Sequence, residues 1–205
     1  MSIWLDWTKQ IQAIAQTGEA YSKDGYDLER YAQLKAISEQ MFAYLSDTPV
    51  EKVHDLFIPE QGYPTPKVDV RGGIIKDNKI LLVREREDDC WTMPGGWADV
   101  CETPSIGVAR EVQEESGYMV SASRLVAVKD RSEHDYRPIF PFHIYKLFFL
   151  CELEGGLAQV NLEISDIDFF AQDKLPPLSK SRVLPEDIQM MFDYAKNPSR
   201  LPFVD

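Results

Sequence analysis

The sequence predicts an α/β domain preceded by a small all-helical module. Apolar residues recur at helical spacings through the first forty-odd residues, and a proline-rich stretch follows. Beyond it, short β-forming runs alternate with turns and with two segments that carry helix start signals. A chain of 205 residues suits one medium domain plus something small, and can bury a proper core.

In the module, Trp4, Trp7, Ile11, Ile14, Gly18 and Tyr21 alternate spacings of three and four, which puts them on one seam of a helix. "SKDGYD" supplies a turn through Asp24 and Gly25. A second helix follows with Tyr31, Leu34, Ile37, Met41, Tyr44 and Leu45 on its inner side. "TPVEKVHDLFIP" adds a short third helix, with Pro49 near its start. The stretch "PEQGYPTPK" is the best boundary in the chain and sets two domains, 1–60 and 67–205.

After the boundary, "KVDVRGGIIKDNKILLVRERE" reads as two strands around a hairpin turn at Asp77-Asn78. "CWTMPGG" is a short strand ending in glycines. "TPSIGVAREVQEESG" is a helix, with Thr103 as N-cap, Pro104 in the first helical position and Gly117 as the stop. "YMVSASRLVAVKDR", "FHIYKLFFLCEL" and "ISDIDFFAQ" are further strands. "PEDIQMMFDYAKN" is a last helix, opened by Pro185 and acidic residues at its positive end.

Composition narrows the setting. With 44% hydrophobic and 11% aromatic residues the chain is globular. A net charge of −12 disfavours broad docking on nucleic-acid backbones or anionic membranes, while leaving room for a small basic pocket. Cys90, Cys101 and Cys151 are odd in number and lack Cys-x-x-Cys spacing, which argues against a disulfide framework or structural zinc. Asp6 and Lys9 stand where a signal peptide needs its apolar core, and His143 and Lys146 interrupt the greasiest run. The expectation is a cytoplasmic protein.

The central helix holds the chemistry. At roughly 100° per residue, Glu111, Glu114 and Glu115 lie within an arc of roughly 100°. Ile106, Val108, Ala109 and Val112 occupy the other side, and Gly107 leaves room on the acidic one. Like charges at this spacing cost on the order of 0.2–0.5 kcal/mol per pair, which a structural helix would avoid. Clustered carboxylates bind hard divalent cations through oxygen, usually together with waters and substrate phosphates.

Gly96, Glu102 and the run "REVQEESGY" fall at the spacing of the Nudix box, Gly-x5-Glu-x7-Arg-Glu-U-x-Glu-Glu-x-Gly-U, where U is an aliphatic residue. Every charged and glycine position is met and Val112 fills the first apolar slot; Tyr118 stands where an aliphatic residue is usual. The chain therefore resembles the Nudix hydrolase family over residues 67–172. Its helical segment resembles the N-terminal module of a bacterial branch that acts on nucleoside diphosphates linked to another moiety. The resemblance implies a Nudix α/β/α sandwich with mixed sheets, and hydrolysis of a pyrophosphate bond with Mg²⁺ or Mn²⁺. It implies Glu111 and Glu115 as metal ligands, Glu114 as a third or water-mediated ligand, and the Gly95 carbonyl as a further contact. Arg110 would orient a neighbouring glutamate or brace the helix, and Glu102 would steady the loop or reach metal.

Other residues are candidates for substrate. Asp69 and Arg71 share one strand face, where Arg71 either clamps a phosphate or pairs with Asp69. Trp97 stacks on a base, covers a cation, or packs. "KDRSEHDYRP" puts Lys129, Arg131 and Arg137 in a long loop, a common place for substrate contacts. His134 and His143 are not at metal spacing. For the base that deprotonates water, Glu152 and Glu154 flank the "EGG" turn, and Asp166 and Asp168 alternate along a strand facing water. Glu163 lies just ahead of that strand, a place similar to that of a metal-binding or basic glutamate in several Nudix enzymes.

Within the branch, the likeness points first to CDP-choline, cleaved to CMP and phosphocholine, with Trp4, Trp7, Trp97 and Tyr136 as candidate faces for the quaternary ammonium. ADP-ribose is the alternative, then RNA ends, and last a non-catalytic nucleotide sensor. The helices, marginal alone, must bury their seam, and a homodimer is expected.

Overall fold

The computed structural model describes residues 3–47, 49–57 and 62–205. Thr48, Ile58 and the start of the proline-rich boundary (Pro59, Glu60, Gln61) lie outside the described residues, as do the side chains of 55–57. The chain divides into two compact units, one of residues 1–66 with 138–143, the other of 67–137 with 144–205.

The first unit holds α1 (Ile3–Tyr21), α2 (Gly25–Ser46) and α3 (Val50–Phe57). Asp24 caps α2 by accepting from the N–H groups of Tyr26 and Asp27, as the turn at Asp24-Gly25 suggested. Leu5, Phe42, Ala43 and Val53 form a small core, joined by Ile139 and Phe142 from the inserted segment. The faces differ from those expected. α1 buries Leu5, Thr8, Gln12, Ala15 and Gln16, while α2 buries Ser38, Glu39, Phe42 and Ala43. Only part of the predicted seam is inside: Gly18 abuts the Tyr31 ring and Leu45 joins the small core, but Trp4, Ile14 and Tyr21 are 56, 61 and 68% exposed, and Leu34, Ile37 and Tyr44 are exposed as well. Periodicity marks which residues share a face, not what covers it.

The second unit begins with β1 (Lys67–Lys76) and β2 (Lys79–Glu85), joined at Asp77 and Asn78, whose φ angles of 49° and 57° make the expected turn. Then come β3 (Trp91–Thr92), α4 (Pro104–Ser116), β4 (Tyr118–Asp130), β5 (Ile144–Gly156), β6 (Ile164–Ala171), α5 (Pro185–Lys196) and β7 (Phe203–Val204), which the sequence did not signal. The strand order is β3-β2-β1-β5-β4-β7, with β6 added to β2. β1 runs parallel to β5, antiparallel to β2, and β4 runs antiparallel to β5, so the sheet is mixed.

Two helices cover its two faces. Val108 and Val112 of α4 pack on Val70, Ile74, Leu81 and Phe149. Ile188, Met191 and Phe192 of α5 pack on Ile80, Leu82, Val126 and Phe148. The unbroken apolar run Ile80–Val83 follows from burial on both sides. This is the expected α/β/α sandwich behind a helical module. Ile106, expected on the core side of α4, is exposed instead, because it sits in the first turn, before the helix reaches the sheet.

Candidate active site

α4 is a capped helix. The Thr103 hydroxyl accepts from the Ile106 N–H at 3.3 Å, and Gly117 closes the other end in the left-handed region at φ 74°. The turn that faces it is fixed to β1 by backbone hydrogen bonds. The Val70 N–H donates to the Gly96 carbonyl at 2.8 Å, and the Gly72 N–H donates to the Pro94 carbonyl at 2.9 Å. Gly95 has φ 143°, and a Cβ there would lie 2.0 Å from the Val70 carbonyl oxygen. At Gly96 a Cβ would come within 2.8 Å of Glu111 Oε2. Backbone crowding and its φ require glycine at Gly95, while at Gly96 the carboxylate of Glu111 occupies the space a side chain would take.

Glu115 is buried beside the same turn and accepts from the Gly95 N–H at 2.9 Å. Burial pushes its carboxyl up to about 8, against the opposing pull of Arg71 and of that N–H. Burial also raises Glu111, with Arg110 opposing. Glu114 is exposed. Arg110 gathers the front of the cluster: Nη1 donates to Glu111 and Glu114, both at 2.9 Å, and Nε to the two Glu102 oxygens at 3.2 and 3.1 Å. Its Nη2 lies 3.1 Å from Asp99. In this arrangement no three His, Cys, Asp or Glu side chains among the described residues converge as a metal site. The carboxylates are drawn to Arg110 and to the Gly95 N–H.

Behind the turn stands a buried chain of charge. Arg71 donates from Nε and Nη2 to Asp69 at 3.0 and 2.8 Å, and from Nη1 to the Met93 carbonyl at 3.1 Å. Lys146 donates to Asp69 at 2.7 Å. Burial alone would raise Asp69, but the two cations hold it down at about 2, while burial takes Lys146 down to about 8. Glu85, which sequence reasoning missed, is also buried near Arg71; its signal was a carboxylate closing an apolar strand.

The other candidates are placed as follows. Trp97 is exposed on the turn, bridged by backbone to Asp69. Arg131 is buried, with its guanidinium 5.5 Å from the ring centre of Tyr136. Lys129, expected in a loop, lies in β4 and donates to buried Asp187 at 2.7 Å. The Tyr136 hydroxyl donates to the same Asp187 at 2.7 Å, and at 2% exposure that ring offers no face to a choline group. His134 contacts Asp205 at 3.0 Å. Glu163 is exposed just before β6, and among the described residues no hydrogen bond or ion pair engages its carboxylate.

Residues 66–191 match the family described as NUDIX domain, and residues 2–57 match the one described as UDP-X-like, N-terminal oligomerisation domain. The chain belongs to the Nudix hydrolase family. A Bacillus subtilis (strain 168) relative, provisionally named ADP-ribose pyrophosphatase YjhB, is 43% identical over 98% of this chain and 97% of its own. A crystal structure of a UDP-X diphosphatase matches with a TM-score of 0.64 at 34% identity, over 98% of both chains. An ADP-ribose pyrophosphatase structure from Streptococcus suis 89-1591 matches with a TM-score of 0.63 at 37% identity, over 69% of this chain and 100% of that one. This Nudix hydrolase is thus a pyrophosphohydrolase with a helical N-terminal module, an enzyme rather than a bare nucleotide sensor. No helix among the described residues is long and apolar enough to cross a membrane.

The raised carboxyl of Glu115 gives a pH signature. A folded-state value of about 8 against an ordinary 4.5 means that the folded chain favours the protonated form. The associated stability is full below about 4.5 and is lost as pH rises through about 8. In chelator-treated Nudix protein the melting temperature should fall across that window, and Glu115→Gln should flatten the fall. Parallel profiles for the two proteins would show that Glu115 is ionised in the metal-free fold.

Proposed function

We propose that this enzyme hydrolyses the pyrophosphate bond of a nucleoside diphosphate linked to another moiety, with ADP-ribose as the favoured substrate, giving AMP and ribose 5-phosphate. The observation that carries the reading is the pair of carboxylates, Glu111 and Glu115, brought over the Gly95–Gly96 turn. ADP-ribose is put ahead of CDP-choline because of the relatives' names and because buried Tyr136 cannot face a choline group. Exposed Trp97 keeps CDP-choline as the second reading.

The donor set fits a hard divalent cation, Mg²⁺ or Mn²⁺. Glu111, Glu115 and Glu114 offer carboxylate oxygens and Gly95 a carbonyl, a hard-oxygen set, and among the described residues arginines are the cations that act on Glu111 and Glu115. The bound ion would neutralise charge on the phosphoryl oxygens and make a bound water more acidic. Arg110 must then release Glu111 and Glu114 while keeping Glu102 and Asp99. Glu163, committed to no arginine, takes the proton from the attacking water. That water adds to one phosphorus, the bridging P–O bond breaks, and two phosphate monoesters leave. Arg71 steadies Glu115 from behind, with three of its N–H groups already engaged by Asp69 and the Met93 carbonyl. Trp97 borders the substrate space, and Arg131 contributes positive potential from beneath the surface.

A panel of ADP-ribose, UDP-sugars and CDP-choline with Mg²⁺ or Mn²⁺, its products resolved by chromatography, tests the substrate. ADP-ribose should be turned over fastest; faster CDP-choline cleavage would reverse the order. Glu111→Gln and Glu115→Gln should each lower kcat by orders of magnitude with little change in stability, since glutamine keeps the shape of the side chain. Normal turnover in both would reduce the cluster to a solvated face.

We also propose a homodimer formed through the helical unit. Its support is the exposed seam of Trp4, Ile14 and Tyr21 on a segment that matches an oligomerisation domain. Sedimentation at micromolar concentration should give twice the chain mass of 23.5 kDa, and a single-chain mass would refute the proposal.

A further inference from the structure

The connection that carries Glu163 is fastened to the C-terminal end of α4. The last carbonyls of a helix lack partners within it, and here the connection supplies two of them. The Gln159 N–H donates to the Ser116 carbonyl at 3.0 Å, and Asn161 Nδ2 donates to the Glu114 carbonyl at 2.7 Å. Gly117 permits the approach, because a Cβ there would lie 2.4 Å from the Leu157 carbonyl oxygen and 2.8 Å from Gln159 Cβ.

Asn161 also holds the residues that follow it. Its Oδ1 accepts from the N–H groups of Glu163 and Ile164 at 2.8 and 2.7 Å. From the other side the Arg86 N–H donates to the Glu163 carbonyl at 2.8 Å, and Arg86 Nε donates to the Asn161 carbonyl at 3.3 Å. The backbone of Glu163 is thus held at both its N–H and its carbonyl, while its side chain stays in water. One carboxamide joins this backbone to the turn of α4 that contains Glu114 and Glu115.

We propose that Asn161 is a positioning residue for the hydrolysis, its carboxamide fixing the backbone of Glu163 against the last turn of α4 and so setting the reach of that carboxylate. The inference rests on the reading of Glu163 as the base. Asparagine suits the task because it offers an acceptor for two N–H groups and a donor for one carbonyl. Alanine offers neither, and aspartate keeps the acceptor while turning a negative oxygen toward the Glu114 carbonyl. Misplacing a reacting group by about an ångström costs on the order of 10²-fold in rate.

The test is a double-mutant cycle on the full chain with Mg²⁺ and ADP-ribose, or the panel's best substrate. Asn161→Ala should lower kcat by about 10–100-fold with KM held within about threefold. In a Glu163→Gln background the same substitution should cost nothing further. Amide exchange at Glu163 and Ile164 should speed up in Asn161→Ala but not in Glu163→Gln. If Asn161→Ala does not fold, Asn161→Asp takes its place in the same cycle. A Glu163→Gln variant within about threefold of wild type would overturn the base reading, and this inference with it. A large loss in Glu163→Gln, with Asn161→Ala either harmless or equally costly in both backgrounds, would overturn the positioning role alone.

Discussion

Keeping three glutamates on one helical face beside a buried turn is the constraint on which the rest of the site depends. Burial takes hydration from Glu115 and in part from Glu111 and pushes both carboxyls up, while Glu114 is exposed. Two arginines answer this from opposite sides. Arg110 holds Glu111 and Glu114 at the front, while Arg71 acts on Glu115 from within the sheet. The difference between them lies in what else they touch. Arg110 is shared among four carboxylates, so it can give up two and remain paired. Arg71 is locked bidentately to Asp69 under full burial, and moving it would leave an uncompensated charge in the core.

That locking extends through the sheet. Asp69 also accepts from Lys146 of the neighbouring parallel strand, and Lys129 stands opposite Lys146 in the antiparallel pair of β4 and β5. Two buried lysines facing each other would repel, yet each has its own carboxylate, Asp69 for one and Asp187 for the other. The Tyr136 ring lies 5.3 Å from Lys146 Nζ, and its hydroxyl completes Asp187. The fold therefore carries a buried polar network beside its apolar packing, and Arg71, which acts on Glu115, is tied into it through Asp69.

Much of this was legible locally and little of it across the chain. The caps of α4, the hairpin at Asp77-Asn78 and the box spacing are written in neighbouring residues, where backbone geometry dictates residue type. The ion pairs are not. Lys146 reads as an interruption of an apolar run, and only its parallel register with Asp69 reveals the partner. Lys129 falls at the end of a strand that looks like the start of a loop. Asn161 lies in a stretch without periodicity, so nothing in the sequence singles it out; its role comes from where the β5–β6 connection returns to the helix.

The helical unit went astray for another reason. Its apolar spacing is genuine, but the faces that α1 and α2 bury are mostly polar, including Gln12, Gln16, Ser38 and Glu39. Gln12 Nε2 and Glu39 Oε1 are buried without a hydrogen-bond partner among the described residues, which weakens that packing further. Helices of this length gain most of their stability from burying an apolar stripe. Here Trp4, Trp7, Ile14 and Tyr21 supply the stripe and stand exposed in the single chain. A helical unit built this way has its largest stabilising term still unused, and this is the physical ground for proposing a second copy of the chain as the cover. On that view the polar contacts between α1 and α2 fix which faces pack, while assembly supplies the apolar burial.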